Sequence, residues 1–302
     1  MMEAVRKNKL VAIPQFQSAS LRKIIDWYLR KGYKKVVVKP LESAGGDNVH
    51  FCTSIQEIKQ ACQKILHQKN VFGELNKRIL IQQFIRGDEY AVNTVSLHGK
   101  HYVSDVWKVN KLAHTPAYDY CEIVPSTHPR YQRLIKYTEQ VLSSLGIRHG
   151  AAHTELRYNE NGPILIETAA RLMGAAQHSF EAEIYQGNTQ VSLLVTSLLD
   201  PKGFQDILKR KLAQKKFGMN IHLVSRVHGK VSDFDMASFL KSLPSTHSFI
   251  LPPSGYPVAP SENLIGFIGI VFLINDDPAQ LHRDKAAIRA AERNYFYTNL
   301  KK

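Results

Sequence analysis

The chain's 302 residues, 44% hydrophobic and 22% charged, have an ordinary globular balance, which excludes a disordered polymer and suggests about two domains around a sizeable core. Its 40 Lys and Arg outnumber its 26 Asp and Glu, and the net charge of +14 suits a polyanion: nucleic acid, an anionic membrane or a nucleotide phosphate. No long basic run or nucleic-acid-binding signature goes with that charge, and no apolar run reaches the roughly 18 residues of a spanning helix.

The opening MMEAVRKNKLVAIPQF has no signal-peptide core or cleavage site, so a cytoplasmic protein is expected. Ser20–Lys31 reads as a helix, with Leu21, Ile24, Ile25, Tyr28 and Leu29 on one face and Gly32 as its stop. Lys35–Lys39 is a valine strand, and Asp47–Cys52 a second strand. A helix opens at Ser54 with Glu57 as a capping box, and Arg78–Ile85 is a further strand. Glu89–Leu97 and Lys100–Trp107 form a hairpin across His98-Gly99. A helix from Pro129 to Leu145 precedes strands His149–Tyr158 and Pro163–Thr168. A helix near Asn188–Leu199, a turn at Asp200–Gly203 and the lysine-rich stretch Lys209–Lys216 suggest a boundary. The rest reads as strands, a proline-rich loop over Leu251–Pro260, a strand over Leu264–Ile274 (where the longest apolar run is broken by glycines) and a closing helix from Asp277-Pro278. Cys52, Cys62 and Cys121 have neither metal-ligand nor disulfide-scaffold spacing.

In KKVVVKPLESAGGDNVHFC a buried strand delivers Lys39 to a small-residue loop, Ser43-Ala44-Gly45-Gly46. Glycines there let backbone N–H groups face an anion, and the lysine adds a point charge. A plain hairpin is the competing reading. No GxxxxGK[ST] is present, and a strand rather than a helix follows, so neither a P-loop nor a Rossmann turn fits.

Glu155 in GAAHTELRY and Glu167 in PILIET flank Asn161-Gly162, a hairpin signal. A three-residue loop, Glu160–Gly162, puts the two glutamates directly opposite, with Cβ atoms about 5 Å apart; a two-residue loop offsets them. Opposed carboxylates need a cation or a shared proton, and Mg²⁺ shared with substrate phosphates answers that need. Solvated acids on an exposed face are the alternative, against which Ile164, Leu165 and Ile166 make the second strand look buried. Arg171, four residues on, could clamp a phosphoryl or carboxylate group, or be an ordinary surface arginine.

In order and spacing, VVVKPLESAGGDNV, ILIQQFIRGDEYAVNTVS and GAAHTELRYNENGPILIETAARLMG resemble the ATP-grasp superfamily. The match looks closest to the carboxylate–amine ligase branch of L-amino acid ligases and glycinamide ribonucleotide synthetases. The resemblance implies an α+β ATP-grasp fold: an N-terminal helix and small lid over 1–86, a larger antiparallel-sheet catalytic subdomain over 87–208, and a C-terminal α+β unit over 209–302. It implies that Lys39, Ser43, Ala44, Gly45 and Gly46 hold the ATP phosphates, and that Gln82, Gln83, Phe84 and Ile85 form the adenine hinge. Glu89 would bind ribose, Glu155 and Glu167 would bind Mg²⁺ (or Mn²⁺), and Arg171 would stabilise transferred phosphate. His153 shares a strand face with Glu155 and either borders the substrate or is a satisfied sheet histidine.

The resemblance has departures. The family's Glu-x-Asn-x-Arg reads ETAAR here, so Ala169 stands where a third metal ligand is usual. The hinge reads Gln-Gln where one acid is usual, and Asn93 stands where an acid often does. The family's front domain of about a hundred residues is not recognisable ahead of the lid, which points to a start-site error, a truncation or a partner chain supplying it; a homodimer is the other assembly expected. The expected activity is an ATP-dependent ligation of small-molecule carboxylates and amines, amino acids foremost, through an acyl phosphate. A non-catalytic nucleotide-binding protein and a basic nucleic-acid-binding protein are the alternatives.

Overall fold

The computed structural model describes residues 1–174, 177–209, 214–264 and 266–298. The chain opens with α1 (Met2–Lys7), then builds a small unit from β1 (Gln15–Ser18), α2 (Leu21–Lys31), β2 (Val36–Pro40), β3 (His50–Cys52), α3 (Ile55–Ile65) and β4 (Ile79–Gln83). Its four strands run in the order β1-β4-β2-β3, and α2 and α3 cover them with Ile24, Trp27, Ile58 and Ile65 against Val36, Val38, Ile79 and Ile81. Ser20 caps α2, and Gly32 ends it at φ +62. At α3 the Ser54 hydroxyl accepts the Glu57 N–H, but the Glu57 carboxylate accepts the N–H of Thr53 at 2.6 Å, so the expected box closes one residue further back. The strand expected from Asp47 begins only at His50, because Asp47 N–H turns back to the Ala44 carbonyl.

A larger sheet follows: β5 (Asp88–Leu97), β6 (Lys100–Lys111), β7 (Tyr118–Ile123), α4 (Tyr131–Ser144), β8 (Gly150–Asn159) and β9 (Gly162–Ala169). The helix expected from Pro129 starts at Tyr131, with Arg130 as its N-cap. Then come α5 (His178–Tyr185), α6 (Gln190–Leu199), α7 (Pro201–Leu208), β10 (Phe217–His222), β11 (Gly229–Val231), α8 (Met236–Ser242), β12 (Thr246–Ile250), β13 (Pro257–Val258), β14 (Ile270–Asn275), α9 (Pro278–Tyr295) and β15 (Phe296–Thr298). The eight strands run β12-β14-β10-β7-β6-β5-β8-β9, so this sheet takes strands from both sides of position 208. Part of the Lys209–Lys216 stretch, 210–213, lies outside the described residues. Leu264 is not in a strand: its N–H donates to the Gly45 carbonyl at 2.9 Å, and β14 begins at Ile270.

The two faces of the large sheet differ. On one, Tyr90, Val92, Leu156 and Leu165 pack with Leu134 and Val141 of α4 and with Met2, Val5 and Ile13, so the first residues of the chain join this core rather than the small sheet. The other carries Ala91, Trp107, Cys121 and Ile123 beneath Phe180, Ile184 and Tyr185 of α5. All three cysteines are free and buried. No described helix is long and apolar enough to cross a membrane.

Glu181 of α5 is 1% exposed. Burial, and then the nearby Asp105, push its carboxyl up to about 8, against backbone hydrogen bonds that pull it down. The unfolded chain ionises this group above about pH 4.3, whereas the folded chain keeps it protonated to about 8. Stability contributed by the neutral acid is therefore full below the lower value and lost as pH rises toward the upper one. Thermal unfolding of the wild type should move down between pH 5 and 8, and Glu181→Gln should flatten that slope, by about 2–4 °C per kcal/mol recovered. Parallel curves would refute the buried neutral acid.

Candidate active site

Strand alternation places His153, Glu155 and Arg157 of β8 on one sheet face. The hairpin loop is the two residues Glu160-Asn161, with Asn159 paired to Gly162, and not the three-residue loop that would oppose the glutamates directly. Up to Leu156↔Leu165 the register points Glu167 toward the wrong face. A bulge then shifts it by one residue, with Ile166 as the extra residue, and Glu155 stands directly opposite Glu167 after all. The next pair on that face is His153 opposite Ala169.

Lys39 leaves the small sheet on β2 and meets this pair: its Nζ lies 3.5 Å from Glu167 Oε2. Glu167 is half exposed, whereas Glu155 is mostly enclosed, with His153 Nε2 3.4 Å from its Oε1. Burial alone would raise the Glu155 carboxyl. The His153 hydrogen bond and the charges of Lys111, His153 and Lys39 outweigh it and hold the group down at about 2. Glu155 is therefore an anion at any working pH.

Glu89 is buried and doubly paired, to Lys111 Nζ at 2.5 Å and to Arg157 at 2.7 Å. Burial lowers Lys111, but Glu89 and Glu155 outweigh that and hold it protonated. These residues, with Lys35, Phe51 and Phe84, line a hollow of about 210 Å³ between the sheets. Lys35 Nζ sits 4.4 Å above the Phe84 ring centre, and the Phe51 and Phe84 rings meet edge to face at 5.6 Å. The space is smaller than the roughly 300–1,000 Å³ of whole-ligand pockets and suits one part of a nucleotide. A larger hollow, about 530 Å³, lies by Phe16, Lys23 and Leu29 and holds none of the expected site residues.

Of the expected hinge, Phe84 lines the hollow, whereas Gln82 is buried with its amide donating to Gln15 at 2.6 Å, and Ile85 packs on the large-sheet core. Gln83 N–H donates to the Pro14 carbonyl. In the loop after β2, Ser43 Oγ donates to Asp47 Oδ2, and Gly45 and Gly46 take φ of +65 and +76. A Cβ on Gly46 would come within 3.0 Å of Pro116 and 3.6 Å of Asn263, so this loop lies against both. Arg171 is exposed, with its guanidinium on the Leu172 carbonyl at 2.7 Å. Sequence reasoning missed Lys35, Phe51, Lys111 and Arg157; only Arg157, on the Glu155 face, had a periodic cue.

Among the described residues no three His, Cys, Asp or Glu side chains form a ready-made metal cage. Two carboxylates on adjacent strands do fit Mg²⁺, which takes one or two carboxylates and completes its shell with phosphate oxygens and water.

Residues 33–179 match the ATP-grasp domain family. Dapdiamide A synthase of Enterobacter agglomerans is 28% identical over 310 residues, covering 99% of this chain and 72% of its own. The solved L-amino acid ligase of Bacillus licheniformis superposes with a TM-score of 0.78 at 19% identity, over 96% of this chain and 69% of that one. Carboxyaminoimidazole ribonucleotide synthase of Aspergillus clavatus, solved with ATP, gives 0.70 at 12% identity, over 97% and 72%. The four-stranded unit and the eight-stranded sheet accord with that match: residues 33–179 of this chain are identified as an ATP-grasp domain.

Proposed function

We propose that the chain is an ATP-dependent carboxylate–amine ligase of the cytoplasm, with amino acids as its favoured substrates. The observation that carries the reading is the meeting of Lys39, from the lid sheet, with Glu167 opposite Glu155 on the large sheet. Conserving charge around a polyphosphate needs this arrangement: cations for the phosphates and anions for the metal that bridges them. The names of the relatives, a dapdiamide synthase and an L-amino acid ligase, support amino acids as substrates.

Phe84, Lys35 and the Lys111–Glu89–Arg157 cluster would take the base and ribose, and Lys39 with the Ser43–Gly46 loop the phosphates. Glu155 and Glu167 would hold Mg²⁺, which when bound neutralises phosphate charge and keeps the γ-phosphoryl group in line. A substrate carboxylate oxygen then attacks the γ-phosphorus, and ADP leaves. The acyl phosphate so formed is a better electrophile than the carboxylate. An amine attacks its acyl carbon, phosphate departs with the C–O electrons, and the nitrogen sheds a proton. Arg171, once swung from the Leu172 carbonyl, would face the developing phosphate charge.

ADP release is expected with ATP, Mg²⁺ and a panel of amino acids, and Glu167→Ala should lower it on the order of a hundredfold or more. Wild-type turnover in that variant would sink the metal assignment. ATP binding without ADP release from any amino acid pair would favour a non-catalytic nucleotide binder. Phe84→Ala should raise the KM for ATP about tenfold and leave kcat nearly unchanged. An unaltered KM would place the base elsewhere.

A further inference from the structure

The sheet face that carries Glu155 continues past Lys111 into a row of aromatic rings. Glu155 pairs with Ala91, Ala91 with Trp107 and Trp107 with Ile123, so these residues share one face, and Cys121 and Tyr118 pack in the same cluster. Asn220 pairs with Cys121, and His222, two residues along β10, falls on that face too. Lys111 Nζ lies 5.3 Å from the Tyr118 ring centre. The Tyr118 and His222 rings meet edge to face at 5.3 Å, and the His222 and Phe267 rings do so at 6.1 Å. The row therefore runs from the lysine that pairs with Glu89 out to Phe267, which is 43% exposed.

The outer end of the row is tied to the loop after β2. Phe267 N–H donates to the Leu264 carbonyl at 3.2 Å, and Leu264 N–H donates to the Gly45 carbonyl. A substrate carboxylate placed at the γ-phosphorus, between that loop and Glu155, would have the rest of its molecule against these rings. Burial, and then the charge of Arg289, hold the His222 imidazole down at about 4 against the pull of Asp119, so the ring is neutral and adds no charge to the wall. Among the described residues neither the Tyr118 hydroxyl nor the His222 ring has a hydrogen-bond partner, which leaves both for polar atoms of a ligand. An exposed ring at the end of such a row gains from an apolar group laid on it, because the contact removes apolar area from water. We infer that Tyr118, His222 and Phe267 form the wall that receives the side chain of an amino acid substrate, that this side chain is branched apolar or aromatic, and that Phe267 is the specificity-determining residue. The inference rests on the ligase reading of the site.

Two measurements on the full chain test it: ADP release with ATP, Mg²⁺ and pairs of amino acids, and ligand-observed NMR of phenylalanine without ATP. Pairs that contain leucine or phenylalanine should exceed pairs drawn only from alanine, serine, glutamate and lysine about tenfold or more in kcat/KM, as expected for an apolar side-chain site. Phe267→Ala should remove most of that advantage through the KM for the apolar amino acid, and Phe267→Leu, which keeps an apolar group, should restore part of it. An equal loss for every pair makes Phe267 a structural residue and overturns the inference, as does no loss at all or a wild-type preference for polar or charged amino acids. If no pair releases ADP, the ligase reading fails, and the NMR arm decides the wall by itself. Line broadening of phenylalanine that Phe267→Ala relieves keeps the row as a site for an apolar amino acid, and broadening absent or indifferent to the variant overturns it. The wild-type panel decides the preference even if a variant fails to fold.

Discussion

Two like charges held face to face on adjacent strands are the constraint around which this site is built. Like charges on directly opposed strand positions repel one another, less here because Glu167 is half in water and turned to Lys39. A single-residue bulge at Ile166 creates the conflict: without it Glu167 would fall opposite Thr154, on the other face of the sheet. Bulges that re-aim a side chain beside a functional site are a recurrent use of the extra residue. Ile166 itself packs on the core of the other face, so the irregularity is stabilised by burial. The repulsion is answered from two directions, by Lys39 from the lid and by His153 along the strand.

A second charge cluster works in the opposite sense. Glu89 is buried but meets two cations, so the base of the hollow carries one positive charge in excess. Such a buried group is tolerable only because it is paired, and removing both partners would leave an uncompensated charge. The arrangement keeps Lys111 and Arg157 extended toward the space between the sheets. Phe84 lies within reach of both Lys35 and Arg157, which makes an aromatic floor with cationic sides. A planar, electron-rich base beside an anionic chain matches that surface.

The elements with a clean period were readable in the chain: α2 from its apolar stripe and Ser20, the β5–β6 hairpin from His98-Gly99, and α9 from Asp277-Pro278. The glutamate pair was also readable, though by a route that differs from the real one. The expected three-residue loop and the observed two-residue loop plus bulge give the same final register, and a bulge has no period to betray it. Leu264–Ile274 misled because an apolar run does not say whether its backbone pairs; the glycines and the Gly45 contact keep its first part out of the sheet. Lys111 and Arg157 were invisible as a site because their meaning lies in a shared partner, Glu89, more than fifteen residues from each in sequence. Gln82 had the opposite fault: an amide in the right motif, but turned inward to Gln15 by strand pairing.

How the lid meets the rest of the chain follows from where its apolar residues went. Ile24, Trp27, Ile58 and their neighbours close a core of their own, separate from the one beneath α4. Several of the contacts that join the small sheet to the large one are polar: Lys39 with Glu167, and Leu264 N–H on the Gly45 carbonyl. Gly46 brings the loop against Pro116 and Asn263 with no side chain of its own between them. Polar contacts of this kind are given up at small cost, because water replaces the lost hydrogen bonds. A nucleotide between the sheets would add contacts to both at once. Its phosphates would draw Lys39 away from Glu167, freeing that carboxylate for a cation shared with Glu155. On the proposed reading, approach of the small sheet to the large one and assembly of the glutamate pair would be one event, driven by the same exchange of partners at Lys39.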